Sequence, residues 1–119
     1  MIVVTNNETA RNAFSSVAWV DGTVLDVVDR AESMVRQGYF LVSSPLSANN
    51  RLNRSSYRSI ILGEKSSWSG DDLLLLQKAR VFLESQRVIE DALADQDYRW
   101  IDAELTRTAW NDGIKQGLS

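Results

Sequence analysis

Residues 42–62 read VSSPLSANNRLNRSSYRSIIL, a long polar segment between two short apolar runs. The flanking runs, 39–42 and 60–62, are rich in residues that favour strands. Residues 33–63 carry four arginines and no acid, a charge of +4 that leaves −7 for the rest of a chain of net charge −3. A cationic loop on an acidic body suggests a surface for an anion or an acidic partner, while a merely solvated loop accounts for the same arginines equally well.

Strands and helices alternate on both sides of this segment. Upstream, the apolar pattern predicts strands at 2–5, 17–20 and 39–43, and a short helix from about Glu8 to Phe14. A longer helix begins after Thr23, its expected N-cap, and ends at Gly38. Downstream, we expect a strand over 57–63, a turn over 66–70 and a long helix opened by Asp71 and Asp72. One side of that helix is formed by Leu75, Ala79, Phe82, Gln86, Ile89 and Leu93.

The C-terminal segment 94–110, ADQDYRWIDAELTRTAW, fits two structures. It continues as helix, or it forms a short strand at 98–101 followed by a helix that Asp102 caps. We favour the second.

This order of elements predicts a single α/β domain over 1–119, a three-layer sandwich with a mainly parallel sheet of four or five strands. A strand order such as 2-1-3-4 would put Val3 and Leu41 on adjacent, buried central strands. Ligands usually bind in the crevice where neighbouring crossovers go to opposite faces. That crevice would be lined by Thr5, Asn6, Asn7, Ser43, Ser44, Pro45, Leu46 and Ser47.

Composition excludes several chemistries. The chain has no cysteine and no histidine, so it lacks the common zinc ligands, a thiol nucleophile and the usual general base of serine hydrolases. We therefore expect no metal site and no cofactor. The acidic pI argues against nucleic-acid binding. No apolar run is long enough for a membrane helix, and the N-terminus does not resemble a signal peptide, so a cytoplasmic location is expected.

An ordered set of short motifs carries a family resemblance. The set comprises Thr5-Asn6-Asn7, Gly22, Leu25-Asp26-Val27, Gly38, Pro45-Leu46-Ser47, Asn53, Tyr57-Arg58-Ser59-Ile60-Ile61, 98–102 and Leu105. With these motifs the chain resembles GrdX, a small family encoded beside the glycine, sarcosine, betaine and proline reductase genes of amino-acid-fermenting bacteria. Two positions depart from the family pattern: Glu8 stands where a proline is frequent, and Ser44 where a histidine is frequent.

The resemblance implies a non-catalytic accessory protein of an amino-acid reductase system, with no catalytic residues to carry over. Such a protein would bind either a small anionic or zwitterionic ligand or a reductase component, and a homodimer is also allowed. Catalysis, the less favoured alternative, would have to use Tyr57, Lys65 and Ser43 or Ser44. The candidate ligand-binding residues are Thr5, Asn6, Asn7, Ser43, Ser44, Ser47, Arg54, Tyr57 and Arg58.

An assembly factor without a small ligand is the remaining alternative. It would dock an acidic surface through the arginine loop, and Trp100 and Trp110 would suit an interface, although burial is the commoner fate of tryptophan. No predicted strand or helix core needs Arg51, Arg54 or Arg58, so exchanging all three for alanine is expected to leave stability nearly unchanged.

Overall fold

The computed structural model describes residues 1–64, 70–88 and 94–118. Several residues named above lie outside the described residues. They are Lys65, positions 66–69 of the turn expected at 66–70, and the expected helical positions Ile89 and Leu93. Within the described part of the chain, no helix has the length and apolar character needed to cross a membrane.

Four strands form one mixed sheet. They are β1 (Ile2–Thr5), β2 (Val17–Trp19), β3 (Phe40–Leu41) and β4 (Ser59–Gly63), in the order β2-β1-β4-β3. β1 pairs with β2 in parallel, but β4 runs antiparallel to both β1 and β3. The expected mainly parallel sheet is therefore wrong, because β4 lies between the two strands that were expected to be neighbours.

The connection from β3 to β4 explains the antiparallel pairing. A parallel connection needs a crossover, usually a helix that traverses a face of the sheet. Residues 42–58 contain only a four-residue helix, α3 (Asn50–Asn53), so the chain turns back beside β3. As a consequence Leu41 lies on a two-residue edge strand and is only partly buried, whereas Val3 is fully buried.

The other helices are α1 (Glu8–Ala13), α2 (Val24–Arg36), α4 (Gly70–Glu84) and α5 (Asp95–Lys115). The boundaries expected for α2 are confirmed: the Thr23 side chain and Asp26 form a capping box. Just past its end, Gly38 has a φ of 113°, which is unfavourable for residues with a Cβ.

Two expectations for the later helices are wrong. α4 ends at Glu84 rather than reaching position 86, and its buried face consists of Leu73, Leu76, Ala79 and Leu83, while Leu75 is half exposed. The segment 98–101 belongs to α5 and not to a strand, so Asp102 lies inside a helix instead of capping one. Tyr98, Asp102 and Thr106 recur every four residues and so share one helix face, which packing against the sheet stabilises.

Helices cover both faces of the sheet, as the three-layer prediction requires. On one face, α2 and α4 pack over the side chains of Val4, Ile60 and Leu62. On the other face, α1 and α5 pack near Val3 and Ile61. α5 therefore crosses the sheet close to the edge where β1 ends and β4 begins.

Candidate functional site

Polar residues gather at one edge of the sheet. β1 ends there at Thr5, which is paired with Ser59 at the start of β4. β1 and β3 are both antiparallel to β4, so the chain that leaves β3 at Ser43 and Ser44 emerges at the same edge. The side chain of Ser43 continues the ladder by accepting a hydrogen bond from the Ile61 backbone N–H at 2.8 Å.

A hydrogen-bonded chain links this edge to α5. The Ser59 hydroxyl donates to Oδ2 of Asp102 at 2.6 Å, and Oγ1 of Thr5 lies 2.7 Å from Oγ of Ser59. With Asp102 ionised, the one Ser59 proton goes to the carboxylate, so Thr5 donates to Ser59. Thr5 in turn accepts a hydrogen bond from the Asn7 backbone N–H at 3.0 Å.

Asn7 fixes α1 and α5 relative to each other. Its side-chain oxygen caps α1 by accepting from the Thr9 N–H at 3.0 Å. Its side-chain nitrogen donates to the Arg99 carbonyl at 2.8 Å and to Oδ2 of Asp102 at 3.0 Å. Asn7 has no exposed surface, so these bonds are protected from competing water.

Arg58 is a buried cation beside this network. The residue is only 6% exposed, and its Nη2 donates to the Leu52 carbonyl at 3.2 Å, while its buried Nε has no hydrogen-bond partner among the described residues. Burial lowers the pKa of Arg58, and the nearby negative charge of Asp102 opposes that shift. Burial likewise raises the pKa of Asp102, against the hydrogen bonds from Ser59 and Asn7 and the charge of Arg58.

Arg58 and Asp102 line the same cavity without forming a direct ion pair in the described structure. The cavity has a volume of about 180 Å³, and we call it the Arg58–Asp102 cavity. Its wall is made by the loop after β3, the start of β4 and one face of α5. The lining residues are Ser43, Ser44, Leu46, Ser47, Arg58, Ser59, Asp102, Leu105, Thr106 and Ala109. A smaller cavity of about 30 Å³ adjoins it and includes Tyr57 and Tyr98.

The structure brings together only part of the predicted site. Ser43, Ser44, Ser47 and Arg58 line the larger cavity, and Tyr57 lines the smaller one. Thr5 and Asn7 support Ser59 and Asp102 through the hydrogen bonds described above. The crevice expected between β1 and β3 does not exist, because β4 occupies that position.

Asn6 and Arg54 are separate from the cavity wall. The Asn6 amide donates to the carbonyls of Gly22 and Ser56, and its oxygen accepts from the Arg58 backbone N–H. Asn6 thus ties together three segments near the end of β1. Arg54 points away, with its Nε donating to the Arg87 carbonyl at 3.2 Å.

The arginines of the loop form hydrogen bonds with other parts of the chain, although Arg51 and Arg54 are exposed. Nε of Arg51 donates to the Tyr98 hydroxyl at 3.0 Å, Arg54 holds the Arg87 carbonyl, and Arg58 is buried. They fasten the loop to α5 and to the segment after α4. Arg58 is not the surface residue that the sequence suggested, since it is buried. Removing a buried cation costs more than a surface substitution, so we now expect the triple alanine variant to be destabilised.

Asp102, Ser59 and Thr106 were missed as site residues by the sequence argument. Tyr98, Asp102 and Thr106 would have drawn attention if 94–110 had been interpreted as one helix, since an acid then lies on a face that packs inward. Ser59 lies within the strand predicted at 57–63, and no local feature marks it as a site residue.

The cavity offers two opposite charges and several hydroxyls, and this donor set suits an organic ion. No group of three or more potential ligands of the His, Cys, Asp or Glu type occurs in residues 1–64, 70–88 and 94–118. The absence of a metal site therefore stays a prediction for the whole chain.

The pH dependence of stability tests the position of Asp102. Its pKa is raised in the folded state, so its contribution to folding is full below its ordinary pKa and is lost as pH rises through the folded pKa. Relative to an Asp102→Asn variant, the wild type is therefore expected to lose stability as pH rises from about 4, the ordinary pKa of an aspartate, toward neutral pH. Urea unfolding of both proteins across this range measures the difference. If the wild type instead gains stability relative to the variant as pH rises, burial does not dominate the pKa of Asp102.

A family model described as GrdX-like protein matches residues 2–111 of the chain. Neither the curated proteins nor the solved structures include one with significant similarity to it.

Proposed function

Because the chain belongs to the GrdX-like family, we propose that it is a non-catalytic accessory protein of an amino-acid reductase system that binds a small carboxylate-bearing ligand. The ligand occupies the Arg58–Asp102 cavity. The link to glycine, sarcosine or betaine reductase follows from the family, and the cavity supplies the physical reason for a ligand.

Arg58 carries the proposal. A guanidinium has five N–H donors. In the described structure the Arg58 guanidinium donates a single hydrogen bond, to the Leu52 carbonyl. Burying a cation with unsatisfied donors is costly unless a partner completes its hydrogen bonds. A carboxylate matches the planar guanidinium with two parallel bonds and would remove this deficit.

The arrangement favours binding over catalysis. Ser59 donates to Asp102, but its oxygen also lies 2.7 Å from Oγ1 of Thr5, and Asp102 accepts a further bond from Asn7, so both groups belong to a hydrogen-bonded network that joins the sheet to α5. The Tyr57 hydroxyl donates to Asp95 at 2.6 Å, and burial together with that bond raises the pKa of the phenol. Tyr57 therefore stays protonated at neutral pH and is not an activated nucleophile.

A second candidate function is assembly of the reductase system without a small ligand. The outer face of α4 exposes Leu74, Leu75 and Val81, and an open groove of about 500 Å³ lies beside Lys78 and Phe82. Contiguous exposed apolar surface of this kind is common at protein interfaces. The arginine loop is a weaker docking surface than the sequence suggested, because its side chains are engaged internally.

Thermal unfolding with small carboxylates tests the ligand. We expect acetate, glycine, sarcosine or betaine to raise the melting temperature, since a ligand at one hundred times its Kd stabilises a protein by about 2.7 kcal/mol. The effect should disappear in Arg58→Gln and persist in Arg54→Ala, a matched loss of an arginine from the same loop but outside the cavity.

If none of the four compounds stabilises the folded wild type, the ligand proposal is wrong. An equal loss of the effect in the Arg54 and Arg58 variants would contradict the position of the site. Capture of a purified reductase component that depends on Leu75 and Val81 would instead support the assembly function.

A further inference from the structure

We propose that the ligand is a small zwitterionic amino acid whose carboxylate binds the Arg58 guanidinium while its ammonium group, carrying at least one N–H, binds the Asp102 carboxylate. This inference rests on the proposed function and specifies the chemistry of the same cavity.

The wall of the cavity carries two opposite charges. Arg58 and Asp102 face one cavity with opposite charges and no direct bond between them, so both retain hydrogen-bonding capacity. A simple anion would pair with Arg58 but would be repelled by Asp102. A simple cation would pair with Asp102 but would be repelled by Arg58. A zwitterion satisfies both ends and leaves the occupied cavity electrically neutral.

The Asp102 carboxylate has an oxygen that no side chain of the described residues uses. Both side-chain hydrogen bonds that it accepts, from Ser59 and Asn7, end on Oδ2, and the Ser59 backbone N–H also interacts with the carboxylate. Oδ1 can therefore accept a hydrogen bond from a ligand. An ionised carboxylate only accepts hydrogen bonds, so the cationic end of the ligand must supply an N–H to bind it. A quaternary ammonium has none and is expected to bind less well.

The cavity is small. A volume of about 180 Å³ is smaller than the roughly 300–1,000 Å³ of pockets for drug-sized ligands. Leu105 and Ala109 on α5 close one side, so there is little room for a long side chain. Ser44 and Ser47 also line the cavity, and their hydroxyl oxygens accept from backbone N–H groups, which leaves their protons for a carboxylate. The Thr106 hydroxyl donates to the Asp102 carbonyl, so its oxygen can only accept, as from an ammonium group.

Calorimetric titration of the wild-type chain at pH 7 and constant ionic strength tests the inference. The probes are glycine, acetate, ethylamine and betaine. Glycine carries both charges, acetate only the negative charge, and ethylamine only the positive charge. Betaine carries both charges but has no N–H. We expect glycine to bind at least tenfold more tightly than each of the other three. This comparison needs no variant, so a folding defect cannot obscure it.

Two variants then assign the ammonium site. Asp102→Asn is expected to reduce glycine affinity at least tenfold and to bring it close to that of acetate. Asp97→Asn, which removes an exposed acid from the same helix, should leave the preference for glycine unchanged. Circular dichroism of each variant confirms that the helices are intact before titration.

Each result decides between defined alternatives. If acetate binds as tightly as glycine and Asp102→Asn has no effect, the zwitterion inference is wrong but the carboxylate-binding function stands. Equal binding of betaine would overturn the N–H requirement, and equal binding of ethylamine would overturn the role of the carboxylate. If no probe binds, the proposed function itself is overturned.

Discussion

Replacing Arg58 by alanine is expected to lower the free energy of unfolding by about 3 kcal/mol at pH 7. The change removes the cation of a residue that is 6% exposed, leaves the Leu52 carbonyl without this donor and takes away a positive charge that interacts with Asp102. Removing one member of a buried pair of charges is costly because the other is left uncompensated. Urea unfolding followed by circular dichroism measures the loss.

Arg54→Ala is the matched control. Arg54 belongs to the same loop, but its bond to the Arg87 carbonyl is at the surface, so we expect a change within about 0.5 kcal/mol. Equal stability of the two variants would contradict a stabilising interaction between Arg58 and Asp102 in the folded protein.

Replacing Leu76 by alanine is expected to destabilise the protein by about 2–5 kcal/mol. Leu76 has no exposed surface and packs in the core between α4, α2 and the sheet, so the shorter side chain leaves a cavity. Unfolding by urea, with the denaturant slope compared between variants, gives the difference.

Leu75→Ala makes the same chemical change at the next position. Leu75 is 50% exposed, so we expect a loss below about 1 kcal/mol. A larger loss at position 75 than at position 76 would mean that α4 presents to the core the face expected from the sequence and not the one observed.

Local signals explain which elements were predictable. For α2, the capping residue Thr23, the apolar stripe and Gly38 all lie within or beside the helix, and each acts over only a few residues. For α5, local signals conflicted, because the sequence around Trp100 and Ile101 suits a strand as well as a helix. Packing on the sheet decided that case, and packing is not visible in a short window.

The strand order depended on long-range pairing. β3 has two residues, and its direction relative to β4 is set by how the intervening loop returns, which no periodicity records. Ser43 and Ser44 nevertheless lie at the same edge of the sheet as Thr5, on the other side of β4. β1 and β3 point the same way on either side of β4, so both end at the same edge even though they are not neighbours.

The cavity itself was only half predictable. Ser43, Ser44, Ser47 and Arg58 come from the loop that the charge pattern singled out. Asp102 comes from a distant helix, and nothing in its neighbourhood distinguishes an inward carboxylate from a helix cap until the helix boundaries are known. That Arg58 is buried also depends on α5 and on the fold of the loop.

The position of β4 between β1 and β3 has a consequence for how the chain comes together during synthesis. Thr5 is hydrogen-bonded to Ser59, 54 positions later in the chain, and Asn7 is hydrogen-bonded to Asp102, 95 positions later. A growing chain therefore carries β1 with one side unpaired until β4 has been made, and Arg58 has no acid of α5 beside it until the last helix arrives. Contacts so far apart close slowly, because the entropy of a long loop must be overcome before they form. The wall that joins Arg58 to Asp102 is thus completed only when α5 has been made, so a chain that stops before α5 lacks the cavity altogether.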